Sequence, residues 1–90
     1  MRGRLEECFQ LSGRSGVVAA LYVEDDGKLR PGDWIIVGDA KWRVTGIEII
    51  KRLRVPTSEE LRRIAVQLDA TKAEVAPSIG KQFETSGAQP

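Results

Sequence analysis

Apolar residues along most of this chain recur with a period of two, and glycine, proline and aspartate interrupt them every few positions. Alternation of that kind is the signature of half-buried β-strands, and the interruptions are turn signals. Leu5 to Leu11 reads as a first strand, ended by Ser12-Gly13-Arg14-Ser15-Gly16, and Val17 to Val23 as a second. Asp25-Asp26-Gly27 supplies residues that tolerate positive φ, which predicts that the second strand folds back onto the segment around Leu29. Pro31-Gly32 breaks the chain again, Trp34 to Val37 follows as a short strand, Gly38-Asp39 turns, and Lys41 to about Val55 is one long strand.

That long strand contains a fault. Trp42 and Val44 are apolar at even positions, whereas Ile47, Ile49, Leu53 and Val55 are apolar at odd ones. A switch of parity at Gly46 predicts a β-bulge there, because one extra residue moves every later side chain to the other face. Bulges bend strands, and a barrel needs bends. Thr57-Ser58-Glu59-Glu60 and Thr71-Lys72-Ala73-Glu74 each match a capping box and predict short helical turns near residues 57–63 and 71–76. Between them Ile64, Val66 and Leu68 form the apolar face of another strand, and Gly80 to Thr85 forms a last one around Phe83. The expectation is an all-β, closed or nearly closed antiparallel barrel of about six strands over residues 4–85, one domain, with a loose tail over 86–90.

Several phrases add to this pattern. Gly13-Arg14-Ser15-Gly16, Lys28-Leu29-Arg30-Pro31-Gly32-Asp33, Ile36-Val37-Gly38, Val44-Thr45-Gly46-Ile47-Glu48 and the stretch from Leu68 to Phe83 stand in an order and at spacings that resemble the second, barrel domain of translational GTPases of the elongation factor Tu and initiation factor two type. The likeness covers nearly all of residues 4–85. Pro56 to Arg63 departs from it, standing where that family has a Gly-Asp phrase, and Ser15 stands where the family often has glycine. These 90 residues hold no phosphate loop, since Gly80-Lys81 lacks the glycine five before it and the hydroxyl residue after it that one requires, so a barrel without a GTPase domain is expected. The resemblance therefore implies a binding barrel without its motor, contacting tRNA, the ribosome or a protein of the translation machinery. The rival expectation is a protein-interaction or scaffold barrel without RNA binding.

Composition narrows the chemistry. The 90 residues include no histidine and one cysteine, Cys8, so imidazole-based triads, an intrachain disulfide and cysteine-cluster zinc sites are excluded. A non-catalytic protein without cofactor or metal is expected, in a reducing, cytoplasmic setting. Val17 to Val23, the longest apolar run, is too short to span a bilayer, and no signal-peptide pattern opens the chain, so no membrane association is expected.

Net charge is +1, but its distribution is uneven. Lys41, Arg43, Lys51, Arg52 and Arg54 face Glu48 alone in their stretch, while Glu24, Asp25 and Asp26 gather at the first turn. Arg14, Lys51, Arg52 and Arg54 are the candidate nucleic-acid contacts: Arg14 because a glycine-flanked arginine offers amides and a guanidinium to one phosphate, the others as an outward basic stripe. Each also reads as an ordinary turn or solvated face. Trp34 and Trp42 flank the Gly38-Asp39 turn at hairpin spacing; core packing is the expected role, and a ligand-stacking platform the alternative. Val18, Ala20 and Tyr22 make the second face of their strand as apolar as the first. Only one face of a barrel strand is core, so these three are candidates for an interface with a partner, a second copy of the chain, or one of its own tails.

Overall fold

The computed structural model describes residues 1–10, 16–25, 27–48 and 61–87. Among these, six strands form a closed antiparallel barrel: β1 (Arg2–Phe9), β2 (Val17–Val23), β3 (Trp34–Val37), β4 (Ala40–Glu48), β5 (Arg63–Leu68) and β6 (Gln82–Ser86). Their order around the barrel is β1-β2-β5-β4-β3-β6, and β6 closes it by pairing with β1. Odd residues of β2 (Val17, Ala19, Leu21) and of β3 (Ile35, Val37) point inward to a single core. They meet Leu5 of β1, Val44 of β4, Val66 and Leu68 of β5 and Phe83 of β6 there.

The all-β barrel expected from the alternation is the fold, and the bulge lies where the parity switch put it. Pairing of β4 with β5 slips by one residue between Val44 and Gly46. Val44 pairs with Leu68 and Gly46 with Gln67, so Thr45 is the extra residue; beyond it Ile47 stands opposite the buried Val66 but is itself 40% exposed at the barrel end. A second slip, between Leu5 and Glu7 in β1, lies outside the sequence expectation. Leu5 at an odd position and Cys8 at an even one are both core residues, so the parity does switch across the slip, but with one core residue marking it on each side the mark is faint.

The hairpin expected after β2 does not form. Both edges of β2 are taken, by β1 on one side and by β5, some forty residues later, on the other. Residues 28–30 have no free edge to join and are not strand. The Asp25 carboxylate instead accepts hydrogen bonds from Gly27 N–H (3.0 Å) and Arg2 N–H (3.1 Å), tying the turn to the start of β1. Strand ends also shift: β1 finishes at Phe9 rather than Leu11, and β6 runs through Ser86, one residue into the expected tail.

Helix α1 (Lys72–Val75) starts where the capping box put it. Thr71 Oγ1 accepts from the Glu74 N–H (3.2 Å), and its hydroxyl donates to Glu74 Oε1 (3.1 Å). A 3₁₀ turn over Ala76–Ser78 follows, with Pro77 in its first turn. The pair seats Val75, fully buried, in the barrel core. The helical turn expected near 57–63 lies almost wholly outside the described residues.

Candidate nucleic-acid interface

The two-residue turn Gly38-Asp39 sets the geometry of the most strongly marked surface. Gly38 has φ +57° and no described non-glycine residue has positive φ, the sign pattern of a type II′ hairpin turn. Such a turn fixes register: Val37 faces Ala40, Ile36 faces Lys41, Ile35 faces Trp42 and Trp34 faces Arg43. Ile35 and Trp42 therefore share the core, while Trp34, Ile36, Lys41 and Arg43 share the outer face. Lys41 Nζ lies 4.9 Å from the centroid of the half-buried Trp34 ring, on the diagonal of the same face.

This face continues across β6 and β1. Ser86 stands in register with Trp34, Glu84 with Ile36, and Arg2 of β1 with Glu84. Gln82 then pairs with Arg4. Lys41, Arg43 and Arg2 have no side-chain ion pair with any described residue. Two shallow depressions border the face. One, of about 420 Å³, lies beside Arg43 and is bounded by Pro31, Gly32, Thr45 and Asp69. The other, of about 310 Å³, lies beside Ile36 and Arg2.

A second aromatic, Tyr22, lies on the outer surface of β2 between two guanidiniums, Arg4 at 5.7 Å and Arg63 at 5.5 Å from its ring centroid. Arg4, Tyr22 and Arg63 occupy one row across β1, β2 and β5. Glu6, at the β1 bulge, holds both arginines from the next position, with Arg63 Nε at 3.0 Å and Arg4 Nη2 at 4.0 Å. One carboxylate here is thus paired with two guanidiniums, whereas Lys41, Arg43 and Arg2 on the Trp34 face are ion-paired with no described residue. Elsewhere on β2, Ala20 is half-buried and Val18 is 4% exposed although it stands outside the core cluster. Phe9, in register with Val18, is 40% exposed.

The candidate contacts Arg14, Lys51, Arg52 and Arg54 all lie outside the described residues. The two tryptophans, read together from the sequence, separate: Trp42 is a core residue and Trp34 is on the outer surface. The signal for this was present in the two-residue turn, whose register alone places Trp34 opposite Arg43. It was obscured because Trp34-Ile35-Ile36-Val37 is apolar on both faces.

A cavity of about 550 Å³ opens where β2 ends and β5 begins, at the opposite end of those strands from α1. Its lining is mainly apolar, including Val23, Leu29, Ile47 and the 64% exposed Leu61, with Asp25, Lys28 and Arg62 as its charged groups. Burial pushes the Cys8 thiol up, the nearby Lys72 charge only partly offsetting it. Among the described residues no three histidine, cysteine, aspartate or glutamate side chains gather to hold a metal, and no helix is long and apolar enough to cross a membrane.

No family model, no curated protein and no solved structure matches this chain. The resemblance to the translational-GTPase barrel thus rests on the phrases that carry it.

Proposed function

We propose that this barrel is a non-catalytic RNA-binding module of the translation-factor kind, acting in the cytoplasm on tRNA, the ribosome or a protein bound to them. The observation that carries the proposal is the outer face of β3 and β4, where Lys41 and Arg43 flank an outward-facing aromatic without any described acid paired to them. Cations already matched to carboxylates contribute little to binding a polyanion, whereas unmatched ones displace condensed counterions from phosphates. Lys51, Arg52 and Arg54 follow β4 in sequence and extend the same basic stretch, and Arg14 adds a further guanidinium.

The test is the salt dependence of binding to tRNA and to single-stranded RNA. Affinity is expected to fall steeply as salt rises. Replacing both Lys41 and Arg43 with glutamate is expected to flatten the log–log slope on single strands by about 1.4, roughly 0.7 for each phosphate no longer neutralised. Both side chains are exposed, so the fold is expected to survive. Absence of salt-sensitive RNA binding at low ionic strength would hand first place to a protein-interaction barrel. One observation favours that second reading: the outer side of β2, with Phe9, Ala20 and Tyr22 beside the covered Val18, is apolar and partly open. It would seat a partner chain or a second copy, and a monomeric sedimentation profile at high concentration would exclude the second copy.

A further inference from the structure

We infer that Trp34 is a stacking platform for an unpaired base, so that the ligand of the β3–β4 face is single-stranded RNA rather than a duplex; this rests on the RNA reading above. Three features of the face lead there. Trp34 contributes nothing to the closed core, because its neighbours Ile35 and Val37 supply the inner side of β3. Trp34 is half-buried on the outer surface, and an indole there offers a flat apolar ring, the shape and chemistry of a base-stacking surface.

The cations around it are placed for the backbone of the same nucleotide. Arg43 is directly across the ladder from Trp34, and Lys41 already lies over the ring at 4.9 Å. A lysine on a flexible stem can give up that ring contact to a base and move its ammonium to the adjoining phosphate. The shallow depression beside Arg43 borders the face, and Thr45 and Asp69 on its rim offer acceptors to a ribose hydroxyl. A duplex keeps its base faces stacked on one another and presents only phosphates, sugars and groove edges, so it can use the cations but not the ring.

The experiment uses labelled oligouridylate and a duplex RNA of equal length, with the full chain and its variants. Trp42→Phe removes the buried indole and leaves Trp34 as the sole tryptophan. Oligouridylate is expected to quench its fluorescence and the duplex not to. Trp34→Ala is expected to weaken oligouridylate binding about tenfold, within the range per stacked base, while leaving the salt slope and duplex affinity unchanged. Trp34→Phe is expected to restore most of the affinity. Salt-sensitive binding with unquenched Trp34 fluorescence and equal affinity for both RNAs overturns the stacking role and leaves the RNA reading intact. No binding of either RNA removes both. The quenching measurement keeps Trp34 itself, so it decides the matter even where Trp34→Ala fails to fold.

Discussion

Gly3 faces the barrel interior in register with Phe83, and a Cβ built there would overlap the carbonyl oxygen of Tyr22 and reach 3.0 Å from the Phe83 ring. The obstructing atom is backbone and cannot rotate away. Gly3→Ala is therefore expected to cost at least about 2 kcal/mol, measured by urea unfolding, since overpacking a strand contact forces the ladder apart. Cys8 makes a chemical statement of the same kind. Its thiol is buried and its pKa raised by that burial, so at neutral pH it is protonated and shielded. A disulfide-exchange reagent is expected to react with it in native protein orders of magnitude more slowly than in urea. Asp25 contributes a pH dependence: hydrogen bonding, first from the Gly27 N–H, holds its carboxyl below the ordinary value. Its contribution to stability is present above the unfolded pKa of about 3.9 and is lost as pH falls through the lower folded value. Asp25→Asn should thus lose stability near neutral pH and show a smaller further loss on acidification below about pH 4.

At the level of elements, the slip at Gly46 and the cap at Thr71 were both legible because each leaves a local mark. A bulge flips the apolar parity, and a capping box sets a hydroxyl and a carboxylate three residues apart. Gly46 also keeps the outer side of the bulge open: an added Cβ would stand 3.2 Å from Gln67 Oε1, and the Gln67 amide donates to Glu48 at 2.6 Å. Thr71→Ala removes the side-chain acceptor of the Glu74 N–H and leaves only the Thr71 carbonyl at 3.1 Å, in a helix too short to hold itself together. A destabilisation of about 1 kcal/mol in thermal or chemical unfolding is expected, transmitted through the loosened seat of Val75. The turn at Asp25 to Gly27 shows the limit of local marks. The Asp25 carboxylate accepts from the Gly27 N–H as turn chemistry leads one to expect, yet where the chain goes next depended on which edges of β2 were free.

For the whole molecule, closure is the property that matters. Among the described residues each strand has a neighbour on both sides over part of its length, which leaves little edge for strand addition and puts most of the readable surface on outward side chains. On the proposed reading, recognition lies with Trp34, Lys41 and Arg43, while the row of Arg4, Tyr22 and Arg63 offers a second outward group of side chains. The sequence offers no phosphate loop, so titration calorimetry with GTP or ATP is expected to show no binding heat. Micromolar affinity for either nucleotide would contradict a barrel that binds without a motor.

The sequence by itself determined the fold class, five of the strands to within two residues of their starts, the bulge in β4 and the cap of α1. All of these follow from interactions among near neighbours or from a parity that repeats along one strand. Tertiary structure decided what depends on distant partners: that β2 pairs with β5 instead of residues 28–30, and that β1 carries a second bulge. It also decided that two tryptophans eight residues apart end on opposite sides of the barrel wall. Period-two patterning says that a strand has two faces. Only the closed ring of six strands says which of two apolar faces is inside, because only closure defines an inside.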